Sequence, residues 1–434
     1  MRPSSTSSST AHGTAATLAE PAPVATGPFT VNGRTYEPPP CPVVVICMDG
    51  CSDEYLNASL SHGRMPHLDH LIRNGFRGVA RAALPTFTNV NNAAIIAGAP
   101  PAVTGISGNF FLDPTSGERV MMNDASYLRC PTIVAAAARA GRRVAIVTAK
   151  EKLRDILGKD LQGIAFSAEK ADQTTDAKHG ITDVLRLVGR PLPAIYSADA
   201  SLFVLWAGVA LIESRRADFL YLSLTDYMQH KYAPEAPESL DFYAQMDQAI
   251  GRLIELGARV AATADHGMNA KNTADHKPNV IYVQTHLEQI FGPGPEVICP
   301  ITDPYVLHHG ALGSLVMVHL RPGIPAAEVA RALLKLDGVT EVYDRETAAR
   351  KLELPADRIG DLTVLASRDV VLGARPADHD LSLLKTGLRS HGGRYEEMVP
   401  LLLSEPLSPA YRQIAERDPR NFDVFDFACN GVTV

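Results

Sequence analysis

The chain reads as a doubly wound, mostly parallel α/β sheet with helices on both faces, plus a small inserted α+β cap. Three observations predict it. Short apolar runs recur at 43–48, 219–225 and 260–264, and each reads as a parallel strand buried on both faces. Segments of helical spacing separate these runs, so strand and helix alternate as in a doubly wound sheet. Asp49, Asp226, Asp265 and His266 stand where the runs end, and open α/β sheets gather their chemistry at the carboxyl ends of strands.

The elements follow in order. Residues 1–28 are rich in Ser, Thr, Ala and Pro without an apolar core, and predict a disordered leader rather than a secretory signal. Beyond Asp49, residues 65–74 show helical spacing with Gly75 as C-cap. A short strand at 78–84 leads through Pro85 to a helix opening near Thr88 and running to Gly98. A small-residue helix at 132–140 precedes a buried strand at 143–148. Helices at 200–216 and 240–256 feed the Asp226 and Asp265 strands. After about residue 289 the pattern changes to a β-α-β-like block: strand 313–320, amphipathic helix 326–336, strand 338–343 and a short helix at 345–352. Strands at 369–373 and 398–403 then rejoin the main sheet. The expected division is therefore a hydrolase core of 29–288 and 369–434, interrupted by a cap of 289–368.

Composition narrows the function. With 434 residues, 46% of them apolar, the chain can bury a large core. A net charge of −7 and no long Lys/Arg run argue against a polyanion-binding protein. The longest apolar stretch, 202–212, is too short to span a bilayer and predicts a buried helix. Six cysteines without a CxxC pair predict buried free thiols and a reducing, cytoplasmic setting.

The chemistry lies in a set of scattered donors: Asp49, Thr88, Asp226, His230, Asp265, His266 and His391. A single Asp at a strand end is ordinarily a helix cap, and a single His is ordinarily a surface or satisfied core residue. Taken together, three carboxylates and three imidazoles would repel one another and suffer desolvation without a compensating cation. Their oxygen and nitrogen donors suit zinc, and their number suits two ions. Asp226 and His230 stand four apart, within one helical turn, so both can reach one ion. Thr88 opens a helix, where free N–H groups favour an anion, and is the candidate nucleophile; the bland alternative is a capping Thr86 or Thr88. Lys150 and Lys152 emerge just past the 143–148 strand and would form a positive pair suited to a small dianion, beyond what a phosphate monoester needs.

The motifs MDG at 48–50, TFTN at 86–89, TDYMQH at 225–230, ADHGM at 264–268 and RSHGG at 389–393 resemble the alkaline-phosphatase superfamily. Within it, GISGNFF at 105–111 and TAKEKL at 148–153 resemble the phosphonoacetate hydrolase family. The resemblance implies two zinc ions, one held by Asp226, His230 and His391, the other by Asp49, Asp265 and His266 with the Thr88 hydroxyl. It further implies that Asn109, Lys150 and Lys152 contact the phosphonate and carboxylate of the substrate, and that Thr88 and His391 bind it as well. Thr88 would attack phosphorus, the carbon–phosphorus bond would break to release acetate, and water would free phosphate from phosphothreonine. The implied partner is a small-molecule phosphonate, with no nucleic acid and no membrane; a homodimer is left open. The competing reading is a phosphodiesterase, nucleotide pyrophosphatase or phosphomonoesterase on the same two-zinc fold, with Phe110 and Tyr227 as a nucleobase slot. A metal-binding protein without activity is the third. His276, His308, His309 and His379 match no ligand motif and are expected to be structural.

Overall fold

A computed structural model describes residues 27–303, 310–382, 384 and 387–432. The leader to residue 26, and with it most of the 1–28 segment, lies outside the described residues, as do His308 and His309.

The frame is a seven-stranded sheet in the order Phe76–Arg81, Met398–Leu403, Arg259–Thr263, Val43–Cys47, Phe219–Ser223, Val144–Thr148, Ile164–Ser167. Only Met398–Leu403 runs against its neighbours; the pairs from Arg259–Thr263 to Ile164–Ser167 are all parallel. The Val43–Cys47, Phe219–Ser223, Val144–Thr148 and Arg259–Thr263 strands are buried at every position, which is why they read as unbroken apolar runs. Two helix layers cover the faces. One joins Ala198–Glu213, Pro237–Glu255, Asp53–Ser61 and Pro66–Asn74; the other joins Thr88–Ala97, Ile133–Arg139 and Val424–Asn430. The 202–212 stretch is the buried heart of Ala198–Glu213. Among the described residues no helix is long and apolar enough to cross a membrane.

A second, antiparallel sheet holds Pro295–Ile298, Leu315–Leu320, Leu362–Ala366 and Val339–Asp344, in that order. It has its own apolar core, including Val316, Val318, Val329, Leu333 and Val364, which reaches back to Val283 and on to Leu372.

Three expectations shift. The 78–84 strand is Phe76–Arg81, because Gly78 lies inside the pairing with Met398–Leu403 rather than at its start. The 369–373 strand does not rejoin the main sheet: Val371–Gly373 pairs in parallel with Val280–Tyr282 beside the second core. The β-α-β-like block supplies one inner and one edge strand of a four-stranded antiparallel sheet. The strand between the block's two strands, Leu362–Ala366, is a short, mostly apolar run that periodicity alone cannot assign.

Candidate active site

The loops that follow three adjacent strands bring the donors together. Asp49 lies just beyond Val43–Cys47, Asp226 beyond Phe219–Ser223, and Asp265 with His266 beyond Arg259–Thr263. His391 arrives from the Arg389–Ser390 strand, which pairs with Asn269–Ala270 directly after the Asp265 loop. Gly50 permits the close approach: it has φ +73°, and a Cβ there would sit 3.0 Å from the Asp226 Cβ. Gly392, at φ +119°, would drive a Cβ to 2.4 Å from the Phe87 ring.

Two donor clusters result, Asp226 with His230 and His391, and Asp49 with Asp265 and His266, each offering ligand atoms within 4.8 Å of one another. In the first, His230 Nε2 lies 2.9 Å and His391 Nε2 3.7 Å from Asp226 Oδ2. In the second, His266 Nε2 lies 3.3 Å from Asp49 Oδ1 and 3.6 Å from Asp265 Oδ2. The His266 and His391 rings stack at 3.5 Å, so the clusters abut. Each imidazole turns Nδ1 to a backbone carbonyl: Arg389 for His230, Gly267 for His266 and Thr86 for His391, at 2.8, 2.9 and 2.7 Å. That contact fixes the tautomer with Nε2 as a lone pair facing the cluster, the arrangement metal-binding histidines use.

Both clusters fit metal cations. Among the described residues, both carboxylate oxygens of Asp49 and Nε2 of His266 are buried without a hydrogen-bond partner, an arrangement that buried polar groups rarely tolerate. Burial and the charges of Asp226 and Asp265 push the Asp49 carboxyl well above its ordinary range. Burial likewise lifts Asp265 to about 7, although Gly50 N–H at 3.2 Å and His266 N–H at 3.1 Å donate to its Oδ1. Burial works to raise Asp226 too, but the Lys150 ammonium and His230 more than offset it and hold Asp226 low. Burial and the two neighbouring histidines keep His391 neutral, as a ligand must be. Mixed oxygen and nitrogen donors of this kind suit zinc.

Thr88 is the first residue of the Thr88–Ala97 helix and is buried. Neither threonine caps that helix: Phe87 holds the cap position without a side-chain bond. Thr86 instead donates to Gly393 O and accepts from Gly392 N–H, both at 3.0 Å, anchoring the loop that carries His391. The Thr88 hydroxyl makes no hydrogen bond among the described residues. Asn109 sits against the same helix end, its Oδ1 accepting from Asn89 N–H at 3.0 Å, which leaves its NH2 as the group able to donate.

A cavity of about 400 Å³ adjoins the clusters, lined in part by Lys150, Lys152, Tyr196, Asn123 and Asp303. Lys150 Nζ lies 3.6 Å from Asp226 Oδ1 and 4.9 Å over the Tyr196 ring. Lys152 is paired with Asp303. The lysines thus share one cavity, as their spacing predicted, but each is already held by a carboxylate. Phe110 and Tyr227 do not line it; Tyr227 packs edge-on against Tyr196 at 5.2 Å. His379 is structural, accepting from Ala374 N–H and facing Gly310 O at 2.7 Å. His276 has left-handed φ of 62° in a turn apart from both clusters.

Sequence reasoning missed three groups. Asn92 donates to Asp265 Oδ2 at 3.4 Å while its Oδ1 accepts from Tyr221 and Ser223 at 2.7 and 2.8 Å. It lies one helical turn beyond Thr88, a spacing that could have flagged it. Tyr196, which donates to Asp226 Oδ1 at 3.1 Å, and Asp303 stand in irregular segments far from any motif.

Residues 43–394 match the model of the type I phosphodiesterase / nucleotide pyrophosphatase family, and the chain belongs to that family. A phosphonoacetate hydrolase from Sinorhizobium meliloti 1021, solved with phosphonoformate, is 46% identical with a TM-score of 0.89, covering 94% of this chain and 100% of its own. The same protein solved with phosphonoacetate aligns at 45% identity, TM-score 0.89 and the same coverage. Within the wider family this chain is thus one of the phosphonoacetate hydrolases. Murine ectonucleotide pyrophosphatase / phosphodiesterase 5 shares the fold at 16% identity and a TM-score of 0.59, over 89% of this chain and 94% of its own.

Proposed function

We propose that the protein hydrolyses phosphonoacetate to acetate and phosphate with two zinc ions and Thr88 as nucleophile. The observation that carries this reading is the pair of clusters, one of them with orphaned buried donors, set beside a cavity that bears two lysines. Asp226, His230 and His391 would hold one ion; Asp49, Asp265, His266 and Thr88 the other. When bound, such ions supply charge for the phosphonate oxygens and lower the pKa of a coordinated hydroxyl or water.

The chain's own residues do the rest. The Thr88–Ala97 helix presents the Thr88 Oγ, buried and unshared, to phosphorus. Asn109 NH2 lies against the same helix end, placed to donate to a phosphonate oxygen. The Thr88 hydroxyl gives up its proton to water as its Oγ bonds to phosphorus; the phosphorus–carbon bond breaks with its electron pair left on the acetate carbon, delocalised into the carboxylate until water returns a proton. Lys150 and Lys152 offset that carboxylate charge. Water then cleaves phosphothreonine, releasing phosphate and restoring Thr88.

The division into a 29–288 and 369–434 core and a 289–368 cap belongs to the same proposal, supported by the separate antiparallel sheet and its own apolar core. So does a cytoplasmic setting, supported by six cysteines that are all free thiols. Phosphate release from phosphonoacetate by zinc-loaded protein, against 4-nitrophenyl phosphate and a phosphodiester, tests the function. Preference for phosphonoacetate, lost on chelation and restored by zinc, is expected; turnover of the esters alone would move the function to ester hydrolysis.

A further inference from the structure

The two lysines of the cavity are held differently. Lys150 leans on Asp226, whose charge belongs to a metal cluster, and on the face of Tyr196. Lys152 is paired with Asp303, contributed by the segment between the Pro295–Ile298 and Leu315–Leu320 strands of the second sheet. Asp303 is buried and Lys152 partly so, with side chains 3% and 13% exposed, and both line the cavity.

The other acids of the cavity wall are engaged elsewhere. Glu151 bonds Ser167 and Arg154, Asp155 bonds Arg154, and Glu169 accepts from Glu151 N–H at 2.9 Å. Asp303 is therefore the wall carboxylate that meets a substrate-side ammonium. Burial works to strip Lys152 of its proton and the Lys150 charge adds to that, while Asp303 is the largest opposing influence.

We infer that Asp303 is a specificity-determining positioning residue. Through its pairing with Lys152 it sets the charge of the cavity wall that carries the lysines, so that this wall accepts a singly charged carboxylate in preference to a doubly charged phosphoryl group. Without Asp303, Lys152 would add an unpaired positive charge beside Lys150, and the wall would suit a second dianion better. With it, the wall carries one unit of positive charge less, which favours a single carboxylate. At separations of about 4 Å in a partly enclosed cavity, a unit of charge is worth about a tenfold or larger change in affinity.

The inference rests on reading this cavity as the phosphonate site. Its test is calorimetric titration of zinc-loaded Thr88→Ala protein, which cannot turn over, with phosphonoacetate and with methylenebisphosphonate, at buffered free zinc. Adding Asp303→Asn is expected to shift the ratio of the two Kd values by about tenfold or more towards the bisphosphonate. In a Lys152→Gln background, Asp303→Asn is expected to restore phosphonoacetate affinity that the lysine change removed, because it takes away an unpaired anion. Equal losses for both ligands, or no restoration, would reduce Asp303 to a structural strut. Should Asp303→Asn fail to fold by circular dichroism, Asp303→Ser carries the same comparison. If the parent zinc-loaded protein neither binds nor hydrolyses phosphonoacetate, the functional reading falls and this inference with it; binding with an unshifted ratio sinks the role of Asp303 alone.

Discussion

Thr88 is one of ten residues in a helix buried throughout its length, and its hydroxyl is not used to cap that helix. Replacing it with alanine removes one oxygen from a site whose metal donors are otherwise intact. Thr88→Ala is therefore expected to lower phosphate release by at least about a thousandfold while elemental analysis still finds both zinc ions. Full activity in that variant would sink the nucleophile. Asp265 gives a second expectation. Its carboxyl in the metal-free fold lies near 7, above its unfolded value, so protonation favours the folded state. That contribution is complete below about pH 3.9 and is lost as pH rises through the folded value. Metal-free protein should accordingly melt at a lower temperature at about pH 8 than at about pH 6, and zinc should remove most of the difference. A metal-free Tm that rises over this interval would contradict the burial assigned to Asp265.

At the scale of elements, the site depends on two loops held together by a buried ion pair. Lys271 follows the Asn269–Ala270 strand, and its Nζ donates to Glu396 Oε1 at 2.8 Å with both side chains fully enclosed. Glu396 also accepts from Asn269 Nδ2 at 2.6 Å and Gly393 N–H at 3.1 Å, and its carbonyl accepts from Gly267 N–H at 2.8 Å. This network joins the loop of Asp265 and His266 to the loop of His391, so it sets how the two donor clusters face each other. Lys271→Met should leave an uncompensated buried carboxylate and cost about 3–5 kcal/mol in denaturant unfolding. A loss under about 1 kcal/mol would mean that the loops are held by backbone pairing alone.

For the whole molecule, the donor clusters are a place where local choices conflict with folding. Three buried carboxylates converge, and desolvation and mutual repulsion disfavour at least two of them as anions without a cation. Metal binding is therefore coupled to stability. Removal of zinc by a chelator should lower the unfolding free energy by about 4 kcal/mol for an ion held at a thousand times its Kd, and added zinc should restore it. A Tm indifferent to chelation would mean that the clusters are stable empty, against the orphaned donors of Asp49 and His266.

By itself the sequence determined the alternation of strand and helix, and with it the placement of Asp49, Asp226 and Asp265 at strand ends. Unbroken apolar runs, helix caps and glycines are local signals written in contiguous residues. The position of Thr88 at the opening of a helix and of the two lysines just past a strand was legible for the same reason, each lying next to a strong element boundary. Only the tertiary structure decided that Leu362–Ala366 is the middle of the second sheet, that Val371–Gly373 pairs with Val280–Tyr282, and that Lys152 meets Asp303. Asn92, Tyr196 and Asp303 gain their meaning from partners 173, 30 and 151 residues distant. Strand pairing and buried charge pairs are contacts between remote segments, and no period or motif in one segment encodes the identity of the other.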